Sequence, residues 1–152
     1  MKKVLVAIDI ARHGGNDGCL KTAQDIAKTM DATLILLHVI ESIPRYYIPS
    51  MPPGAISKWK LEAEEEARKL AEKYGCSDVV VREGVPATKI LEYASEINAD
   101  LIVLNSHDPE LFDYLFGSVA NRVVQHAHCS VHVARQHDAA PDVPPDVANE
   151  GT

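Results

Sequence analysis

The sequence predicts an α/β fold: a doubly wound, five-stranded parallel sheet with helices on both faces. Two observations carry this. Four short apolar runs rich in Val, Ile and Leu and a last, alternating segment from Ser130 to Ala134 punctuate the chain, and between them lie stretches whose apolar residues recur every three or four positions. A continuous apolar run of this length is what a strand buried on both faces of a parallel sheet needs. The three- and four-residue spacing marks amphipathic helices that can cross over to the next parallel strand, and such crossovers are right-handed. Regular alternation of the two therefore layers helices over both faces of the sheet.

In chain order, Val4-Leu5-Val6-Ala7-Ile8 is the first strand. The break from His13 to Gly18 leads into a helix with Ala23, Ile26, Ala27 and Met30 on its apolar side and Asn16 or Asp17 as candidate cap. Thr33 to Ile40 is the second strand. Pro44, Pro49, Pro52 and Pro53 then exclude residues 42–55 from a central strand or a helix interior, which makes them a surface excursion. From Lys58 to Tyr74, Trp59, Ala63, Ala67, Leu70, Ala71 and Tyr74 form an apolar stripe opposite a solvated face of Glu62, Glu64, Glu65, Glu66, Arg68 and Lys69. Val79-Val80-Val81 is the third strand, and Pro86 opens a helix whose buried side is Ile90, Leu91, Ala94 and Ile97. Leu101 to Leu104 is the fourth strand, Asn105 to Phe116 a loop, Ser118 to His126 a helix, and Ser130 to Ala134 the last strand.

At 152 residues, 46% hydrophobic and 24% charged, the chain has the size and composition of one globular domain. That domain is expected to occupy residues 1–137, followed by a disordered acidic, proline-rich tail over 138–152. A net charge of −7 with no Lys/Arg cluster argues against nucleic acid as a partner. Cys19, Cys76 and Cys129 are odd in number and far apart, which reads as free thiols in a reducing compartment. The apolar run at the start is too short for a secretory leader or a membrane span. The expected location is the cytoplasm, with no membrane partner.

In an open parallel sheet, ligands bind outside the carboxyl ends of the strands, where strand order reverses. The candidates are therefore Ala7, Ile8 and Asp9 after strand one, Val39 at the end of strand two, and Leu104, Asn105, Ser106, His107 and Asp108 at the end of strand four. Gly117, Ser118 and Val119 join them, because a helix N-terminus presents free N–H groups to an anion. Ser118 reads in two ways, as a phosphate contact or as the cap of its own helix. His126, His128, Cys129, His132 and His137 crowd together, but without the paired Cys/His spacing of a metal site, so no metal is expected. Ser106 beside His107 lacks the third orienting group of a nucleophilic triad, and no catalytic residue is assigned.

Leu101-Ile102-Val103-Leu104-Asn105-Ser106-His107, then Leu115-Phe116-Gly117-Ser118-Val119-Ala120, then Val123-Val124 and His126-Ala127 before Cys129-Ser130-Val131 resemble the carboxyl half of the universal stress protein family. Lys3 to Asp9 and Leu37-His38-Val39 resemble its amino half, so the likeness covers roughly residues 2–135. The resemblance implies strand order 3-2-1-4-5, a homodimer made through the last strand, and ATP (or AMP or ADP), with Mg as an optional companion. It implies a regulatory, stress-response role with at most weak ATP hydrolysis. Asp9 and Val39 would flank the adenosine; the loop from Asn105 and the Gly117-Ser118-Val119 turn would receive the phosphates. Asn105 and Asp108 stand where the family's ATP motif has glycines, and eight residues separate Asp108 from Gly117, one fewer than in that motif. The segment is similar to a subgroup of small bacterial members that alter this loop in the same way. There is no Gly-x-x-x-x-Gly-Lys-Ser/Thr pattern for rapid hydrolysis. A nucleotide-free dimeric interaction module and a slow ATP hydrolase are the alternatives.

Overall fold

A computed structural model describes residues 1–9, 16–105 and 117–135. Its elements run β1 (Lys3–Ile8), α1 (Asn16–Met30), β2 (Thr33–Ile40), a 3-10 turn (Arg45–Ser50), α2 (Ala55–Lys73), β3 (Asp78–Glu83), α3 (Pro86–Glu96), β4 (Leu101–Asn105), α4 (Ser118–His126) and β5 (Ser130–Ala134). The five strands pair in parallel in the order β3-β2-β1-β4-β5. The order reverses about β1: the chain first winds outward through β2 and β3, then returns to place β4 and β5 on the other side. The strand order implied by the resemblance is the one observed.

Register sorts the side chains onto two faces. Val4 pairs with Leu34 on one side and Leu101 on the other, and because side chains alternate along a strand, each such row shares a face. Val4, Val6, Leu34, Leu36, Leu101 and Val103 pack under α1 and α2 against Leu20, Ala23, Ala67 and Ala71. Leu5, Ala7, Ile35, Leu37, Val39, Ile102 and Leu104 pack under α3 and α4 against Ile90, Ala94, Ala120 and Val123. Leu5, Leu36, Leu37 and Ile102 are fully buried, each worth about 1.5–3 kcal/mol relative to exposure. Double-sided burial holds for β1, β2 and β4. The two edge strands differ from expectation: β3 is half-buried between exposed ends, and β5 alternates exposed and half-buried positions up to the buried Ala134, since each has one strand neighbour among the described residues and incomplete helical cover.

The first three helices stop in one common way. Asp31, Gly75 and Asn98 each take a positive φ just past α1, α2 and α3. In each case the next residue's N–H bonds five residues back, Ala32 to Ala27, Cys76 to Ala71 and Ala99 to Ala94, at 2.8, 2.8 and 2.9 Å. This is a Schellman closure, and it turns the chain directly into the following strand. α1 and α2 are further tied by Asp17, which accepts from the Tyr74 hydroxyl and from Lys73 Nζ. Those two bonds, the Tyr74 bond first, hold the Asp17 carboxyl below its usual range.

Two local expectations need correction. Residues 42–55 are a surface excursion, but part of it is helical: Pro49 lies inside the 3-10 turn. A piece this short tolerates the missing N–H, because the bonds that hold it, Tyr47 to Pro44 and Met51 to Ile48, use other donors. Trp59 belongs by spacing to the buried stripe of α2, yet it is 40% exposed. Its neighbour Lys60 pairs with Glu83, the last residue of β3, so this turn of α2 is level with the end of the sheet and has little beneath it. Burial pushes the Cys19 thiol up to about 12 and that of Cys76 up to about 11, which keeps both protonated and unreactive. Among the described residues, no helix is long and apolar enough to cross a membrane.

Candidate functional site

At the carboxyl ends of β1, β2 and β4 the sheet opens into a cavity of about 130 Å³. Ala7, Val39 and Leu104 form its floor, Ile90 of α3 and Val119 of α4 wall it, and Asp9, Glu41 and Asn105 stand around it. The floor residues belong to the face under α3 and α4, and Asp9, one residue past β1, borders the same cavity. An adjoining cavity of about 400 Å³ shares Glu41, Pro86 and Val119 with the first and adds Gly84, Ser118 and Arg122.

The start of α4 is shaped by Gly117, which caps the helix with φ 85° and ψ 159° and is buried. That backbone conformation is open almost only to glycine. The first helical bond runs from the Asn121 N–H to the Gly117 carbonyl at 3.0 Å. The amides of Ser118, Val119 and Ala120 therefore have no helical acceptor, and Ser118 and Val119 border the adjoining cavity. Ser118 is the first helical residue rather than the cap, so the capping reading of its hydroxyl is corrected: the cap is Gly117. Arg122, one turn along α4, borders the same cavity and makes no ion pair among the described residues.

At the opposite wall, Gly84 links β3 to α3 with φ 146°, and its N–H bonds the Ile40 carbonyl at 2.9 Å. A Cβ there would lie 2.7 Å from Lys89 Cε. Pro86 follows at the start of α3, where its missing N–H leaves no helical bond unmade.

On the other face of the sheet, His38 is 4% exposed, the one buried polar side chain among the described residues. Its ring nitrogen Nδ1 lies 3.1 Å from the Ile8 carbonyl oxygen, which can only accept, so the neutral ring carries its proton on Nδ1. Burial pushes the His38 pKa below its ordinary value, against the opposing pull of the Ile8 carbonyl and Asp9. The folded chain thus resists protonation at His38 while the unfolded chain, with an ordinary imidazole near 6.5, accepts it. His38 supports the fold fully above about pH 6.5, and this contribution is lost as pH falls through the lower folded value. The melting temperature of the parent is expected to fall more steeply between pH 7 and 5 than that of His38→Asn, which does not titrate. Parallel calorimetric curves would contradict this.

Of the residues singled out in the sequence, Ala7, Ile8, Asp9, Val39, Leu104, Asn105 and Val119 line one cavity, and Ser118 borders its neighbour. Ser106, His107 and Asp108 lie outside the described residues, as do His137 and the tail over 138–152. Glu41, Pro86, Ile90 and Arg122 were not anticipated. For Arg122 a signal existed: it is four residues after Ser118, on the same side of α4. No group of three His, Cys, Asp or Glu side chains that could hold a metal ion occurs among the described residues.

The site offers an apolar floor for a flat or sugar-bearing group, a carboxylate at Asp9 that can accept from hydroxyls, and helix amides with an arginine that favour an anion. A crevice at the reversal point of a doubly wound sheet is where α/β domains of this class take up ligands. Residues 1–135 match the Universal stress protein family. A universal stress protein of Methanocaldococcus jannaschii is 33% identical over 150 residues, covering 89% of this chain and 82% of that one. Two solved structures share the fold. A universal stress protein in complex with cAMP is 23% identical with a TM-score of 0.60, over 88% of this chain and 96% of that one. The universal stress protein from Archaeoglobus fulgidus in complex with dAMP is 22% identical with a TM-score of 0.60, over 88% and 97%. The chain belongs to the universal stress protein family.

Proposed function

We propose that residues 1–137 are an adenine-nucleotide-binding domain of stress-response type, that its ligand is ATP, or AMP or ADP, with Mg as an optional companion, and that its role is regulatory with little or no catalysis. The observation that carries this reading is the apolar cavity at the β1/β4 reversal point, with Asp9 on one side and the open amides of α4 on the other. Base and sugar would lie over Ala7, Val39 and Leu104. The Asp9 carboxylate would accept from the ribose hydroxyls, and the phosphates would meet the Gly117-Ser118-Val119 turn, with Arg122 supplying positive charge nearby. The cAMP and dAMP held by two proteins of the same fold support an adenine nucleotide as the ligand class.

Homodimerisation belongs to the same proposal. The outer edge of β5 pairs with no other strand among the described residues, and an open edge is a template for pairing with a second copy. A reducing, cytoplasmic setting accords with three free cysteines.

The test is a thermal melt of nucleotide-free protein with and without millimolar Mg-ATP, using GTP as control. Saturation at about 100 times Kd adds about 2.7 kcal/mol, or roughly 5–10 °C for a domain of this size. A shift specific to adenine is expected. No shift would favour the nucleotide-free interaction module, and turnover lost in Asp9→Ala would favour the slow hydrolase.

A further inference from the structure

We infer that His38, working with Asn16, is a positioning residue for Asp9: the two side chains pin the carbonyls of Ile8, the last residue of β1, and of Asp9 itself, and so aim the Asp9 carboxylate into the cavity. This deepens the proposed function and rests on it.

The β1–β2 ladder ends at the pair Ile8 and His38, and the β1–β4 ladder ends one residue earlier, at Ala7 and Leu104. Asp9 therefore lies just past the sheet, where the neighbouring backbones no longer set its orientation. Two side chains take over. His38 Nδ1–H donates to the Ile8 carbonyl at 3.1 Å from the face under α1 and α2. Asn16 Nδ2–H donates to the Asp9 carbonyl at 2.7 Å from the first turn of α1. The two peptide groups that flank Asp9 are thus held from β2 and α1, and Asp9 borders the cavity.

The choice of residue at 38 is informative. Every other described residue of β2 from Leu34 to Ile40 is aliphatic, and a buried polar group in such a strand is unfavourable unless it is hydrogen-bonded. An aliphatic residue would fill the layer equally well. What His38 adds is a rigid, neutral N–H donor aimed at one carbonyl. A carboxylate that takes part in holding a ligand contributes more affinity when it is fixed before binding.

The test is a double-mutant cycle on ATP affinity by calorimetry, with four proteins: parent, His38→Leu, Asp9→Ala and the double variant, plus His38→Asn, which keeps a donor near the position of Nδ1. His38→Leu is expected to weaken ATP at least fivefold in the parent background, His38→Asn less than twofold, and His38→Leu less than twofold once Asp9 is alanine. Coupling of this kind shows that His38 acts through Asp9, which a general effect on the fold would not produce. Equal losses from His38→Leu in both backgrounds, or none in either, would overturn the inference. Amide hydrogen exchange at Asp9 without ligand decides the matter independently. Faster exchange in His38→Leu than in parent and His38→Asn supports positioning even if the parent binds no nucleotide, and unchanged exchange overturns it.

Discussion

Replacing Gly117 by valine is expected to weaken ATP binding at least a hundredfold and to lower the melting temperature by about 2–12 °C. Gly117 sits at φ 85° and ψ 159°, buried at the start of α4, and a β-branched residue there is strained by about 1–3 kcal/mol. The chain escapes that strain by moving the first turn of α4, which carries the open amides of Ser118, Val119 and Ala120 away from the crevice. A melting shift of that range follows from about 2–4 °C per kcal/mol for a chain of this length. Ser118→Ala is the control. Because its hydroxyl is not the cap, apo stability should change by no more than about 0.5 kcal/mol. Circular dichroism melts and calorimetric titration read both quantities. Parent-like binding by Gly117→Val would remove α4 from the site, and a Ser118→Ala loss near 1 kcal/mol would restore Ser118 as the cap.

Asp9→Ala is expected to raise the ATP Kd about 10- to 100-fold and leave apo stability nearly unchanged. A hydrogen bond to a charged group contributes about 1.5–3 kcal/mol, which is that range of affinity. Asp9 is exposed, so its loss opens no hole in the core. The sugar gives a sharper signature. If the carboxylate accepts from ribose hydroxyls, the parent should discriminate against the 2′,3′-dideoxy nucleotide and Asp9→Ala should not. Equal discrimination by both proteins, measured by competition against a fluorescent nucleotide, would place the sugar elsewhere.

Periodicity, with run length and β-branched content, was enough to locate the strands and long helices among the described residues, because the signals for those elements are local. Ser118 to His126 and Ser130 to Ala134 begin and end where their spacing says. What escaped depends on distant parts of the chain. Trp59 has the right spacing for burial and the wrong position along the sheet, a fact set by where β3 ends. Pro49 disfavours an α-helix but not a six-residue 3-10 segment. At the site, Asp9, Val39, Leu104 and Asn105 were legible because strand ends are, whereas Glu41, Pro86, Ile90 and Arg122 come together only when α3 and α4 pack on the same face. The pinning of Asp9 by Asn16 and His38 is a matter of hydrogen-bond geometry that no spacing rule encodes.

The double-sided burial of the central strands has a consequence during synthesis, before there is a sheet to bury them. Val4 to Ile8 and Leu34 to Leu37 are uncharged, proline-free segments of high β-propensity, the composition that drives nascent chains to stick to one another. Each is bracketed by charge: Lys2, Lys3 and Asp9 around the first, Asp31 and Glu41 around the second. Such residues act as gatekeepers that make stacked, in-register copies repel. Asp9 would then serve the emerging polypeptide as well as the folded crevice, and Asp9→Ala should lower the yield of soluble protein from rapid expression even though the purified variant melts like its parent.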